Sequence, residues 1–328
     1  IEIPQLDRYS FDVTNIYADS TDKDGYHTWQ YPVEEMDKLR DPKMKLVFLV
    51  NPSNPPSYRL SQDCLDYLVD VVKKDNPDLM IVTDDVYGTF AKDFKSLMYV
   101  LPRNTLCVYS FSKYFGATGW RLAVIAAAKE NIFDRLISQE SKECLEDLDK
   151  RYGSLSLHPE KIRFIDRMVA DSRSVALNHT AGLSTPQQIQ MSLFSLMCLL
   201  DKRNVYKKKM QDMVEDRLEA LWKGTGFRLM EDPLRVGYYS EIDLMLWGSK
   251  IYGDDFCNWL KANYEPIDIV LRLARQTSVV LLNGSGFDGP CWSVRASLAN
   301  LDEIDYLKIG SALRSILDGY YEEYKKAK

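Results

Sequence analysis

The chain has 328 residues, of which 45% are apolar and 27% are charged, and its formal net charge is −6. These values are typical of a globular protein with a core, and the absence of a basic block argues against nucleic acid as a partner. No apolar run approaches the roughly 20 residues that a membrane-spanning helix needs. The six cysteines and three histidines are too scattered for a metal site or a Cys-x-x-Cys pair. We therefore expect a cytoplasmic protein without bound metal, whose thiols are reduced and mostly buried.

Three short apolar runs, each followed by a polar cluster, predict parallel strands of an α/β sheet at residues 45–50, 79–83 and 105–109. Between the first two runs, the apolar spacing predicts a helix over residues 61–74 with Ser61 as its N-cap. A strand, a crossover helix and a second strand form a βαβ unit. Ligands of open α/β sheets bind at the carboxyl ends of the strands, so we expect the three polar clusters to meet at one rim.

The middle of the chain continues with a predicted strand at 121–128 and an amphipathic helix at 130–151. Residues 151–174 predict a further helical segment, either an oligomer contact or a solvated excursion. Helical spacing then runs from residue 185 to residue 222.

The C-terminal part mixes short strands with helices, which predicts an α+β unit. We expect strands at 241–246, 278–282 and 291–298, helices at 254–262 and 302–318, and a frayed end over the last five residues. The chain therefore divides into a large cofactor-binding domain, residues 1–195, and a small C-terminal domain, residues 196–328.

The third polar cluster places Lys113 after Ser110 and Ser112 and before Arg121. A lysine can form a Schiff base with pyridoxal phosphate, while hydroxyls and a guanidinium can hold the phosphate dianion. A single lysine after a serine is usually no more than part of a surface loop. The two upstream clusters, Asn51-Pro52-Ser53-Asn54-Pro55-Pro56 and Asp84-Asp85-Val86-Tyr87-Gly88, favour the cofactor site.

Together the three clusters resemble the motifs of the class I and II aminotransferases. The resemblance implies a fold-type I pyridoxal-phosphate-dependent transferase, an α/β protein with a mixed, mostly parallel sheet in a large domain and a smaller α+β C-terminal domain. Within that superfamily, residues 25–32, 48–56 and 109–122 most resemble the aspartate 4-decarboxylases, which also act as aspartate aminotransferases.

The resemblance implies a role for each residue of the first two clusters and for the lysine. Lys113 would form the Schiff base and move a proton between the substrate and the cofactor. Asp84 would pair with the pyridine nitrogen; Asp85 is adjacent, but the three-residue spacing to Tyr87 favours Asp84. Tyr87 and Asn54 would bond the 3′ oxygen of the cofactor, although an asparagine before a proline is also an ordinary turn residue.

Phosphate and substrate contacts are implied in the same way. Ser110, Ser112 and Arg121 would hold the phosphate, and Arg295 would bind the α-carboxylate of the substrate. A lone arginine in a strand is otherwise a solvated edge residue. Residues 178–184 would either approach the phosphate of a second subunit or form a capping loop.

Two features of the superfamily are not found in the sequence. Gly25 is the only glycine before Asn51, so the glycine-rich phosphate turn that the superfamily places upstream is missing. No second arginine is evident for a side-chain carboxylate. We therefore expect the sequence to be a C-terminal portion of a longer protein. The resemblance also implies that the protein forms a homodimer or a larger assembly of dimers.

The leading functional hypothesis is β-decarboxylation of L-aspartate to L-alanine and CO2, with aspartate aminotransferase side activity. A plain aminotransferase for a dicarboxylic or aromatic amino acid needs the same cofactor residues and remains an alternative. A third possibility is an incomplete fragment without activity of its own, or a regulatory relative. Lys113, Asp84 and Arg121 are all present, which argues against a regulatory relative.

Overall fold

Four strands form the first sheet of the structure, a computed structural model that describes residues 12–18, 20, 21, 26–174 and 182–328. In sheet order they are β1 (Leu46–Val50), β2 (Met80–Asp84), β3 (Thr105–Ser110) and β4 (Ala123–Ala127). Strands β1, β2 and β3 are parallel, and β4 runs antiparallel to β3. The sheet is therefore mixed and mostly parallel, which confirms the prediction.

Helices precede, connect and follow the strands of this sheet along the chain. They are α1 (Val33–Met36), α2 (Gln62–Lys74), α3 (Leu97–Val100), α4 (Ile132–Ser138), α5 (Lys142–Tyr152), α6 (Phe164–Ser174), α7 (Thr185–Leu200) and α8 (Val205–Thr225). The predicted crossover helix is α2, and the hydroxyl of Ser61 caps it by accepting the N–H of Cys64 at 3.1 Å. Its buried face includes Leu65, Leu68 and Val71, so the apolar spacing packs this helix into the core.

Two of the predicted long helices are interrupted in the structure. The helix expected at 130–151 is divided into α4 and α5, because Ser141 caps a new helix by accepting the N–H of Cys144 at 3.2 Å. The helical stretch expected at 185–222 is divided into α7 and α8. There the Asp201 carboxylate accepts the N–H groups of Val205 and Tyr206, each at 2.8 Å. In both cases a side-chain cap ends a run whose apolar spacing alone looks continuous.

A second, antiparallel sheet lies in the C-terminal part, with β5 (Tyr239–Asp243), β6 (Leu282–Asn283) and β7 (Ser293–Ser297) in the order β5-β7-β6. The helices around it are α9 (Leu244–Tyr252), α10 (Asp254–Asn263), α11 (Pro266–Thr277) and α12 (Glu303–Ala327). The α+β character of this part is thus confirmed.

Several predicted bounds in this part are wrong. The strand expected at 241–246 ends at Asp243, whose carboxylate accepts the N–H groups of Met245 and Leu246 at 2.9 and 3.0 Å and starts α9. The strand expected at 278–282 reduces to β6, and α11 was not predicted. The last helix continues to Ala327, and its end is not frayed because Tyr324, 7% exposed, packs into the core.

Helices α8 and α12 pack closely because each presents a glycine to the other. A Cβ at Gly224 would overlap the carbonyl oxygen of Leu307, and one at Gly310 would overlap that of Leu221. The core beneath these helices is extensive and includes the fully buried side chains of Ile242 and Phe256. This core holds β5 and β7 in place.

Three further predictions concern the chain as a whole. None of the described helices is long and apolar enough to cross a membrane. All six cysteines are free thiols, but only Cys64 and Cys257 are buried, so the expectation of mostly buried thiols is wrong. Residue 196 lies within α7, and the division into domains 1–195 and 196–328 stays a prediction.

Candidate functional site

The carboxyl ends of the parallel strands bring the three polar clusters to one edge of the first sheet. Val50 lies opposite Asp84, and Asp84 lies opposite Val108. The residues that follow each strand are therefore neighbours, and the predicted rim is formed.

Lys113 lies in the turn after β3 and is half-buried. Among the described residues its amine has no hydrogen-bond or ion-pair partner, but its charge acts on the carboxyl group of Asp84. Burial raises the pKa of Asp84, and the nearby lysine partly opposes that rise. A half-buried carboxyl group beside a lysine amine is a chemically demanding arrangement, typical of a functional site.

Asp84 and Asp85 have different surroundings because neighbouring strand residues point to opposite faces. One oxygen of Asp84 accepts the N–H of Val86 at 3.0 Å at the rim. The carboxylate of Asp85 is buried, where it accepts the hydroxyl of Thr83 at 2.7 Å and the thiol of Cys107 at 3.4 Å. Asp85 therefore pairs with side chains rather than with the backbone, which leaves Asp84 as the carboxylate at the rim.

Tyr87 is buried at this rim and donates a hydrogen bond to the hydroxyl oxygen of Tyr239, at 3.1 Å. Burial, followed by the neighbouring Tyr239, raises the pKa of Tyr87. The phenol therefore stays protonated and remains a hydrogen-bond donor. In the described part of the chain no hydrogen bond joins Tyr87 to Asn54; Tyr87 bonds to Tyr239 and Asn54 to Arg295, both in the second sheet.

Of the three residues predicted to bind the cofactor phosphate, the structure brings only Ser110 and Ser112 together. The hydroxyl of Ser110 donates to that of Ser112 at 2.8 Å, and the backbone N–H of Ser112 donates to Ser110 at 3.2 Å. Among the hydrogen bonds of the described residues, none joins Arg121 to either serine. Arg121 is exposed, and its guanidinium donates to the carbonyl oxygen of Thr118 at 3.1 Å. Arg121 also has a φ of 54°, in the left-handed region, within the turn that leads into β4.

Arg295 is held firmly on β7. Its Nη1 donates to Oδ1 of Asn54 at 2.8 Å, so the structure joins the first polar cluster to the predicted carboxylate-binding arginine. The guanidinium carbon lies 4.5 Å from the ring centre of Tyr239 and 4.2 Å from that of Phe287. Its buried Nε has no hydrogen-bond partner among the described residues. A guanidinium that is flanked by two rings and keeps an unused donor suits an incoming carboxylate.

Sequence reasoning missed the polar face of the second sheet. Tyr239, Glu241 and Asp243 alternate along β5, and Arg295 lies directly opposite Glu241. His27 reaches the same face, where its Nε2 lies 2.9 Å from Oδ2 of Asp243. The period-2 alternation in residues 239–243 is the signal that could have identified these side chains.

The expected contact between residues 178–184 and a second subunit falls mostly outside the described residues, since positions 178–181 are not among them. At the described end of that stretch, the backbone N–H of Ser184 donates to Oε1 of Gln187 at 2.9 Å. This bond belongs to the N-terminal cap of α7.

The residues present fit pyridoxal phosphate. The amine of Lys113, which has no partner among the described residues, could react with an aldehyde, and the half-buried carboxyl group of Asp84 would gain a cationic partner in a protonated pyridine nitrogen. The paired hydroxyls of Ser110 and Ser112 offer donors for a phosphate. Among the described residues, no cluster of side chains suits a metal ion.

Comparison with known proteins gives the family. The sequence model of the aminotransferase class I and II family matches residues 13–231. A bifunctional aspartate aminotransferase and L-aspartate beta-decarboxylase of Pseudomonas sp. is 50% identical over 325 residues, which cover 99% of this chain and 60% of that protein. An aromatic-amino-acid aminotransferase 2 of Thermococcus litoralis is 35% identical over 29% of this chain and 25% of that protein.

Solved structures of aminotransferases have the same fold. A mutant aspartate aminotransferase of Thermus thermophilus matches with a TM-score of 0.61 at 18% identity, covering 96% of this chain and 66% of that chain. YbdL of Escherichia coli, described as a methionine aminotransferase, matches with a TM-score of 0.57 at 17% identity, over 88% of this chain and 62% of that one.

The fold is therefore that of the fold-type I aminotransferases, with the mixed sheet and rim that the motifs predicted. The chain belongs to the class I and II aminotransferase family, whose members in general depend on pyridoxal phosphate. It spans about 60% of the length of the Pseudomonas relative.

Proposed function

We propose that the protein catalyses the pyridoxal-phosphate-dependent β-decarboxylation of L-aspartate to L-alanine and CO2, with aspartate aminotransferase side activity. The observation that carries the proposal is the 50% identity, over 99% of this chain, to a relative named for both activities. The site geometry supports it, because the Lys113 amine lies near the half-buried carboxyl group of Asp84, and the hydrogen bond from Arg295 to Asn54 links the second sheet to the same rim.

We assign the cofactor contacts to residues of the first sheet. Lys113 would bond covalently to the cofactor, Asp84 would pair with its ring nitrogen, and Ser110 and Ser112 would hold its phosphate together with Arg121. For Arg121 this requires the exposed guanidinium to leave the Thr118 carbonyl oxygen for the phosphate, a stronger acceptor.

Asn54 and Tyr87 are assigned to the 3′ oxygen of the cofactor. Both are already anchored in the second sheet, Asn54 by Arg295 and Tyr87 by Tyr239. Their hydrogen bonds would therefore couple the position of the cofactor to the position of the arginine that binds substrate.

Arg295 would bind the α-carboxylate of aspartate and so orient the Cα–H bond toward the rim. Lys113, which lies near Asp84, would take the Cα proton and return it during the reaction. When bound, pyridoxal phosphate supplies the sink for the electron pairs released at Cα and upon loss of the C4 carboxylate. The rings of Tyr239 and Phe287 would keep water away from the guanidinium–carboxylate contact.

We further propose that residues 1–195 and 196–328 act as the large and small domains, and that the protein is a homodimer or a larger assembly of dimers. The bond from Arg295 to Asn54 crosses between the two units. Substrate binding at Arg295 would thereby change the hydrogen bond to Asn54, a residue assigned to the cofactor.

The test is the product balance from labelled L-aspartate on the complete polypeptide loaded with pyridoxal phosphate, without added keto acid. A β-decarboxylase keeps turning over, because the proton removed from Cα is returned and alanine is released. Many equivalents of CO2 and alanine per site are therefore expected. Slow loss of activity, restored by pyruvate, would reveal the transaminase side activity.

A plain aminotransferase gives a different result. It can complete only a half-reaction with aspartate alone, so it would form about one equivalent of oxaloacetate per site and no sustained CO2. That outcome would overturn the decarboxylase proposal and leave the aminotransferase assignment.

A further inference from the structure

Glu241 is a buried carboxyl group beside the candidate substrate-binding arginine. It lies at the middle of β5, and its backbone pairs with that of Arg295 on β7. Residues directly opposite in an antiparallel pair place their side chains on the same face of the sheet. Glu241 is 9% exposed, so its carboxyl group and the guanidinium share one poorly solvated environment.

The carboxyl group of Glu241 is enclosed and only partly satisfied. Oε1 accepts the hydroxyl of Ser293 at 2.9 Å, while Oε2 has no hydrogen-bond partner among the described residues. The turn over it approaches so closely that a Cβ at Gly284 or Gly289 would overlap Oε1. The glycines thus make room for a carboxyl group that forms no ion pair with any of the described residues.

The titratable and charged groups around Glu241 come from four parts of the chain. His27 approaches from the segment before α1, Asp243 lies two residues along β5, and Arg295 lies on β7. The turn that covers the carboxyl group also carries Asp288. Burial, the largest effect, raises the pKa of Glu241 to about 7, and His27 and Arg295 oppose that rise.

We propose that Glu241 is a positioning residue for Arg295, and that its protonation makes the guanidinium available to the substrate α-carboxylate. An ionised Glu241 competes with the substrate for the same positive charge. A protonated Glu241 leaves that charge to the substrate. The inference rests on the proposed role of Arg295 and adds a proton to the substrate-binding step.

The coupling must act in both directions. A substrate carboxylate on Arg295 brings a second negative charge near Glu241 and therefore favours its protonated form. Carboxylate binding should then take up a proton in the pH range where free Glu241 is ionised. If binding raises the pKa of Glu241 by about one unit, affinity falls roughly tenfold between about pH 6 and about pH 9.

The experiment measures the affinity of maleate, a dicarboxylate without an amino group, for the complete holoprotein by calorimetry across that pH range. Titration in two buffers of different ionisation enthalpy gives the protons taken up. Comparison with Glu241→Gln separates the protons taken up by Glu241 from those taken up by the cofactor. The variant should bind maleate with a flatter pH dependence and take up fewer protons, whereas Glu219→Gln, which removes an exposed glutamate, should behave as the wild type.

A second variant keeps the test independent of how well Glu241→Gln folds. The Ser293 hydroxyl lowers the pKa of Glu241, so Ser293→Ala should move the fall in maleate affinity to higher pH. An unchanged pH profile in both Glu241→Gln and Ser293→Ala would overturn the inference.

Arg295→Ala separates this inference from the proposed function. If that variant binds maleate as tightly as the wild type, the α-carboxylate site itself is wrong, and the role of Glu241 fails with it. If Arg295→Ala weakens binding while Glu241→Gln and Ser293→Ala both leave the pH profile unchanged, only the role of Glu241 is overturned.

Discussion

The two sheets contribute to the candidate site in different ways. The first sheet presents its residues on turns after the strands, where the Lys113 amine has no partner within the described part of the chain and the Arg121 guanidinium is exposed. The second sheet presents Arg295 within a strand, already bonded to Asn54 and flanked by two rings. The proposed cofactor residues of the first sheet are therefore arranged to form new bonds, whereas the proposed substrate-binding arginine of the second sheet is preorganised.

The two sheets also differ in packing: the second sheet is buried in a core, whereas an edge strand of the first sheet exposes apolar side chains. Strand β4, at one edge of the first sheet, exposes apolar side chains, and Ile125 is 45% exposed. In the second sheet, Ile242 is fully buried in the core shared with α8 and α12. Preorganisation of Arg295 is thus supported by a core, while the edge of the first sheet has little apolar cover among the described residues.

The largest effect is expected for Lys113→Ala, which removes the reactive amine of the first sheet. We expect kcat to fall by roughly 10⁴-fold, because both the covalent bond to the cofactor and the proton transfer are lost. Borohydride treatment of the wild type, followed by peptide mass mapping, should place the pyridoxyl group on Lys113.

The control is Lys129→Ala, which removes an exposed lysine after β4 and should retain activity. A pyridoxyl group on a lysine other than Lys113 would show that the turn after β3 is not the cofactor site.

The next effect tests the preorganised side. Arg295→Ala should lower kcat/KM for aspartate, because a charge-assisted contact to the carboxylate is lost. The decrease should correspond to a loss of about 2–5 kcal/mol in transition-state binding free energy. The absorption spectrum of the bound cofactor should change little. The exposed Arg103 provides the control, and Arg103→Ala should leave kcat/KM unaltered. Equal kcat/KM for Arg295→Ala and wild type would move the α-carboxylate site elsewhere.

A pair of isoleucine substitutions tests the packing difference directly. Ile242→Ala should cost about 2–5 kcal/mol in the free energy of unfolding, because it leaves a cavity in a closed core. Ile125→Ala should cost less than about 1 kcal/mol, since the side chain is already 45% exposed. Urea unfolding of both variants gives the comparison. A loss at Ile125 as large as that at Ile242 would mean that β4 is covered in the assembled protein.

The same difference explains which parts the sequence could predict. The first sheet was predicted nearly strand by strand, because each apolar run ends in a motif with a known spacing. The interruptions at Ser141 and Asp201 were missed, since a cap is made by one side chain and hardly alters apolar periodicity. Glu241 was missed because its function depends on the strand opposite, and the pairing of β5 with β7 joins residues far apart in the sequence.

The smallest expected effect concerns stability rather than activity and tests the buried carboxyl of the second sheet. The pKa of Glu241 rises from 4.5 to about 7 on folding, so between these values the folded state binds more protons than the unfolded state. Unfolding free energy must then decrease as the pH rises through this range, by roughly 1–3 kcal/mol for this group. Glu241→Gln should lack that part of the decrease, so its stability relative to wild type should increase from about pH 5 to about pH 8. Urea unfolding at both pH values measures the change, with Glu219→Gln as the exposed control. A constant stability difference between Glu241→Gln and wild type would mean that Glu241 titrates alike in the folded and unfolded chains, and that burial beside Arg295 leaves its proton affinity unaltered.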